Sequence, residues 1–340
     1  MRNKQEYKRK QIKYMKKHLF FAAALLSLAA CNNEEYTPAD DPNTPMEIRL
    51  SSGIEVQTRT THNLDTQLGN GELVHVWVDD AGTNQELYQN NELTADGTGG
   101  FTGGTAMFFP QTGNAVDIYA VHGNFTDGTE WSESGFWEEE ITHTVANDQC
   151  TNEGNNGYAL SDLVYAKNAG ETRTKSTIKL GFKHLLSKVE VVLVQGDGSP
   201  EIDKLEILNT KLKAQFSPDK NNSFSVTAIG EIADKNPILI DNGTTSKDIA
   251  EKTDNDEGKV LNEAIIVPQT LAEGTAFIRV TTVAGGVLVY TLPADEASRK
   301  FAPEKKYRYT ITANLTGLTV TSTIEEWGDG GNHSGNAEMQ

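Results

Sequence analysis

From residue 46 onward apolar side chains recur at every second position in short runs, and glycine, asparagine or aspartate breaks each run. A period of two sends successive side chains to opposite faces of an extended backbone, so the pattern specifies strands with one face turned inward. Leu73 to Val78 sets Val74, Val76 and Val78 on one face; Val116 to Val121 does the same with Val116, Ile118 and Ala120. Ile178, Leu180 and Phe182 follow suit, and each run is expected to be a half-buried strand. Further runs are Val189–Val194, Leu205–Leu208, Phe224–Ile229, Ala264–Val267, Ala276–Val283 and Val287–Leu292. A closing pair, Tyr307–Thr312 and Leu318–Trp327 across Gly317, is expected as a hairpin or as two consecutive strands ending a sandwich.

Helical periodicity is scarce. One turn is expected at Asp295–Lys300, and an interruption of a strand at Lys183–Ser187. The fold class is therefore all-β, and a length of 340 residues favours two domains. Lys167 to Lys175 contains no apolar residue except Ala169 and reads as the linker, giving an N-terminal sandwich over residues 46–170 and a C-terminal one over 171–340. The boundary is open by up to fifteen residues. From 328 the chain reads as a polar tail. No fixed period of 20 to 50 residues is visible, which argues against a solenoid or propeller.

Residues 2 to 17 are basic, Leu19 to Ala30 is an apolar run of small residues, and Leu28-Ala29-Ala30-Cys31 follows. Twelve residues at 1.5 Å each span about 18 Å, too short for a hydrocarbon layer of about 30 Å, so residues 1–30 read as a signal peptide. Met15 before Lys16-Lys17 would serve equally as its start. Leu28 to Cys31 resembles the lipobox of bacterial lipoproteins, where the cysteine is acylated; lipid at Cys31 would anchor the chain in a membrane. Residues 31–45, rich in Asp, Pro, Asn and Thr, read as a solvated tether. The acidic pair Glu34-Glu35 resembles a surface-export signal of outer-membrane lipoproteins, and equally suits simple linker acidity.

Net charge is −18, and residues 1–30 hold eight of the basic side chains against Glu6 alone. A surface this acidic repels phosphate backbones, so no nucleic-acid partner is expected. With Cys31 committed to lipid, Cys150 has no second cysteine to join, which leaves no disulfide framework and no zinc cluster. Cys150 reads as an incidental loop or rim residue and not as a nucleophile. The seven histidines form no His-Glu-x-x-His pair. His184 reads as a packed or hydrogen-bonded histidine. Asp254-Asn255-Asp256-Glu257-Gly258 opens like a calcium loop, but Ile265 stands where the bidentate glutamate belongs. No Gly-x-Ser-x-Gly is present, and Glu138-Glu139-Glu140 is contiguous where glycosidase acids must face each other. No catalytic residue, metal site or cofactor is expected. Trp131, Phe136 and Trp137 cluster in a polar stretch, where exposed rings would stack on sugars or else close one end of the first sandwich.

Five stretches carry a resemblance: Asp162–Ala166, Leu180–Val189, Val267–Thr270, Phe301–Thr312 and Ser322–Trp327. With the lipobox, in this order and spacing, the chain resembles the fimbrillins, the lipoprotein pilins of type V pili. That resemblance implies two tandem transthyretin-like or immunoglobulin-like β-sandwich domains, export to the outer membrane and the cell surface, and cleavage by an Arg-specific surface protease. It further implies assembly into a fimbrium by strand addition between subunits. Mapped onto this chain, Glu47–Leu50 and Ile54–Val56 form a strand before Gln57-Thr58-Arg59-Thr60. Arg59 is then the expected cleavage point, with Arg49 second; Arg59 would equally serve as a solvent-facing strand-end residue. Leu318, Val320, Ile324 and Trp327 mark the donor-strand candidate, which would equally suit an ordinary edge strand. The polar tail departs from what a stalk subunit needs and points to a tip, anchor or accessory subunit. The rival reading is a non-polymerising surface lipoprotein that binds glycans through Trp131 and Trp137.

Overall fold

The computed structural model describes residues 44–54, 68–125, 141–150, 157–196, 198, 200–218, 224–230, 237–241, 262–314, 317–326 and 330–334. More than half of them run in strands, as the period-two pattern predicts. In chain order these are β1 (Leu50–Ile54), β2 (Leu73–Asp80), β3 (Gln85–Ala95), β4 (Phe101–Thr102), β5 (Val116–His122) and β6 (Ile141–Thr144). The short helix α1 (Gly157–Leu160) precedes β7 (Val164–Glu171), β8 (Ile178–His184), β9 (Ser187–Gln195), β10 (Ile202–Ile207), β11 (Lys213–Pro218) and β12 (Phe224–Ile229). Then come β13 (Ile238–Asp241), β14 (Asn262–Ile266), β15 (Gln269–Thr270), β16 (Ala276–Thr282) and β17 (Val287–Thr291). The chain closes with β18 (Lys300–Phe301), β19 (Lys305–Asn314), β20 (Gly317–Glu326) and β21 (Gly330–Ser334).

The first sheet has seven strands in the order β1-β8-β7-β5-β2-β3-β4. Its inner face carries Val74, Val76 and Val78 from β2, Val116, Ile118 and Ala120 from β5, and Ile178, Leu180 and Phe182 from β8, all in one core. The expected division at 170/171 falls within β7, before its last residue, and β7 pairs with β8 through Val164 with His184 and Tyr165 with Lys183. The same sheet therefore continues to His184. The polar stretch from Lys167 is the end of β7, where the side chains reach solvent and alternation is no longer required.

β2 and β5 are buried on both faces, whereas the alternation predicts one. A three-stranded sheet, β12-β11-β6, accounts for this. Phe216 on β11 lies 6.1 Å from the Tyr165 ring, and Trp77, Tyr119, Val121 and Tyr165 join the same core as Phe216 and Ala214. Their aromatic and β-branched character makes them good strand formers on either face, so the second contact leaves no separate mark in the pattern.

The second half packs a five-stranded sheet, β14-β9-β19-β20-β21, against a four-stranded one, β13-β10-β16-β17. Val189, Val191, Tyr309 and Ile311 from the first meet Leu205, Ile207, Ile278 and Tyr290 from the second in one core. Phe277 stacks on Phe301 at 4.9 Å, and Tyr307, edge-on to Phe301 at 4.8 Å, donates its hydroxyl to the Lys300 carbonyl at 2.7 Å. The opposite face of β9, β14 and β19 is also closed. Lys188, Glu190 and Glu263 are fully buried there, with Lys188 Nζ 3.0 Å from Glu263 Oε1 and 3.6 Å from Glu190 Oε1. Arg308 Nε donates to Glu190 Oε2 at 2.7 Å, and Lys306 Nζ lies 3.7 Å from Glu190 Oε1.

Where the first sheet meets β6, His143 is fully buried. Its Nδ1 accepts from the Asn124 N–H at 3.0 Å, so the proton sits on Nε2, which donates to the Ser161 carbonyl at 3.0 Å. Burial depresses the imidazole to about 4, with the Ser161 carbonyl and Asp162 acting in the opposite sense. An unfolded histidine titrates near 6.5, so between these values the unfolded chain binds the extra proton. Stability is then complete above about pH 6.5 and lost as pH falls towards 4. Acidifying from pH 7 to 5 is expected to remove about 2 kcal/mol through His143. Burial likewise lowers His75, while it raises the Glu72 carboxyl and so opposes the trend. The urea midpoint of His143→Phe should accordingly depend less on pH between 5 and 7 than that of the parent chain. An unchanged slope would relocate the effect to another group.

Candidate assembly site

The segment Met46–Ile54 lies far in sequence from every partner it touches. Met46 and Ile48 are buried in the first core, Leu50 packs against it, and Glu47 and Arg49 on the alternate positions are exposed. Burying two such side chains contributes about 3–6 kcal/mol. On one side β1 runs parallel to β8, from Leu50 beside Ile178 to Ile54 beside Phe182. The Ile178 N–H donates to the Arg49 carbonyl at 2.8 Å.

On the other side the segment is bonded as well. The Phe109 N–H donates to Met46 O at 2.9 Å, the Ile48 N–H to Met107 O at 2.8 Å, and the Ser52 N–H to Gly99 O at 2.8 Å. Ser51 bridges Gly100, next to β4, at the far end of the sheet order. β1 therefore joins the two ends of a seven-stranded sheet. Taking it away would expose two rows of unpaired backbone groups and the apolar floor between them, a slot that a strand can fill.

Other residues singled out from the sequence fall as follows. Arg49 is on this segment, exposed, with Nε donating to Glu47 Oε2 at 3.2 Å. Cys31, Arg59, Trp131, Trp137 and Trp327 lie outside the described residues. Leu318 and Val320 are buried and Ile324 packs against the second core, all on β20. β20 is an interior strand rather than an edge: β19 pairs with it from Lys305 against Glu326 to Asn314 against Gly317, and β21 from Thr321 against Ser334 to Glu325 against Gly330. β21 arises within the expected polar tail, where ladder hydrogen bonds need no apolar side chain. Cys150 is buried rather than at a rim. His184 is buried with Nδ1 3.0 Å from Asp162 Oδ1, the packed histidine expected. The parallel seat of β1 on β8 escaped the sequence reading. Its only trace is the alternation Met46, Ile48, Leu50, which marks a strand and not its partner.

Among the described residues no group of three or more His, Cys, Asp or Glu is placed to hold a metal ion, and no helix is long and apolar enough to cross a membrane.

The family model described as fimbrillin-like matches residues 58–327, and the chain belongs to this family. It is thus a structural subunit of the fimbrial class and not an enzyme. A candidate fimbrium subunit of Bacteroides uniformis, Fim1C, is 23% identical over 340 residues, covering 95% of this chain and all of that protein. Two crystal structures described as cell adhesion proteins share the fold. One from Bacteroides uniformis has a TM-score of 0.56 at 18% identity, covering 83% of this chain and 99% of its own. The other, from Bacteroides ovatus, has a TM-score of 0.55 at 16% identity, covering 84% and 98%.

Proposed function

We propose that this fimbrial subunit is exported as a lipoprotein acylated at Cys31, held at the outer membrane, and cut at the cell surface by an Arg-specific protease. A strand of another subunit then takes the place of β1, and repetition of that contact extends the fimbrium. The observation that carries this reading is the seat of β1, paired on both sides and closing a sheet whose other strands begin at residue 73. A strand held by non-covalent contacts in such a slot can be exchanged for another of like pattern. Because the contact is heterologous, it propagates instead of closing.

Arg59 is the favoured cut. It lies in the connection between β1 and β2, so cleavage there frees the whole of Met46–Ile54. Cleavage after Arg49 would leave Leu50–Ile54 attached and paired with β8. The family match begins at residue 58, after β1, which supports reading Met46–Ile54 as a removable strand. On the donor side, giving up β20 would break ladders to both β19 and β21. The chain therefore takes a strand more readily than it gives one, as a subunit at a fibre end would.

Arg59→Ala is expected to leave surface export unchanged and to reduce incorporation into fibres to background, read by immunoblot of sheared fimbriae beside whole-cell surface labelling. Incorporation at the parental level would refute processing at this arginine.

A further inference from the structure

Along Met46–Ile54 the inward positions are Met46, Ile48, Leu50 and Ser52. The first three carry apolar side chains into the core. The fourth does not. Ser52 is only 8% exposed, beside Leu180 of β8, and its hydroxyl has no hydrogen-bond partner among the described residues.

The slot is narrow and fixed at this level. The Ser52 N–H donates to Gly99 O at 2.8 Å, and a methyl group placed on Gly99 would lie 3.3 Å from the Ser52 carbonyl oxygen. Gly99 has a φ of +97°, a conformation that favours glycine. The turn around it is pinned by Asp96, whose Oδ1 accepts from the Thr98 N–H at 2.7 Å, the Thr98 hydroxyl at 2.8 Å and the Gly100 N–H at 2.9 Å. A polar atom buried without a partner weakens the strand that carries it.

We infer that β1 is a deliberately imperfect occupant, and that the Ser52 position sets which strand replaces it. The preferred occupant is an extended segment of a second subunit with large apolar side chains at the Met46, Ile48 and Leu50 positions and a small apolar one in place of Ser52. This rests on the strand-exchange reading above and adds the feature that gives the exchange its direction. Removing the buried hydroxyl, so that a methyl group stands in place of hydroxymethyl, is expected to tighten binding roughly tenfold or more.

The test uses the full chain with a unique protease recognition sequence placed within residues 55–67, so that release of β1 does not depend on Arg59. After cutting, synthetic peptides with the sequence of residues 46–54 are added, and exchange of the resident fragment is followed by native mass spectrometry. A peptide carrying alanine at the Ser52 position should half-replace the resident strand at about one-tenth the concentration needed by the native-sequence peptide. In the uncut chain Ser52→Ala should raise the melting temperature. Equal potency of the two peptides would overturn the inference and leave the slot intact. Exchange of neither, with the resident fragment still bound, would overturn the strand-exchange reading and this inference together.

Discussion

Replacing Ile48 by alanine is expected to accelerate hydrogen exchange of the Ile178 amide by about a hundredfold or more, while the β16–β17 amides keep their parental rates. Ile48 is buried in the first core, and truncating such a side chain costs about 2–5 kcal/mol; each 1.4 kcal/mol is a factor of ten. The Ile178 N–H donates to Arg49 O, so it exchanges when the β1 segment leaves. That segment can leave alone, because its ties to the rest of the sheet are hydrogen bonds and side-chain burial along one short stretch. Protection should therefore fall locally. A uniform loss across both sheets would mean that β1 is part of the global folding unit, and a separate exchange step would then be untenable.

Glu190→Ala should be the most damaging substitution in the second half, lowering global stability by roughly 3–5 kcal/mol in urea denaturation. Glu190 is fully buried and faces three cations: Lys188 on its own strand, and Lys306 and Arg308 on β19. Removing it leaves Glu263 as the only anion among these five side chains, and the desolvation cost of the cations is no longer offset. Replacing Glu190 by glutamine, which retains a hydrogen-bond acceptor for Arg308, is expected to cost less but not to restore the parental value. If alanine changed the urea midpoint no more than a surface substitution does, the ion cluster would contribute nothing net to the fold. Unlike Ile48→Ala, this change should weaken protection throughout β9, β14 and β19.

The strands most legible in the sequence were those with strict alternation, such as β2, β5, β8 and the β19–β20 hairpin. β3 was missed because its alternation fails at Asn90, where φ is +41° and the pairing with β2 shifts register between Val76 and Val78. An irregularity of this kind reverses which parity faces inward, so Gln85–Ala95 reads as polar although its end is buried. Asn91 completes the local bonding with its side chain, accepting from the Thr105 N–H at 2.7 Å and donating to Thr105 O at 2.8 Å. The candidate site was half visible. Met46, Ile48 and Leu50 announced a strand, but nothing local distinguished Ser52 from any serine near a strand end.

The residue pattern alone thus determined the all-β class, the positions of most strands and the inward face of each, because the side-chain direction of a strand alternates within a few residues and is written locally. Only the tertiary structure decided that β1 lies parallel to β8 across more than a hundred residues, that β2 and β5 have a second buried face under β11, and that β20 is interior. Backbone hydrogen bonds are the same for every residue type, so the identity of a strand's neighbour is chosen by the packing of distant side chains and leaves little trace in the strand itself.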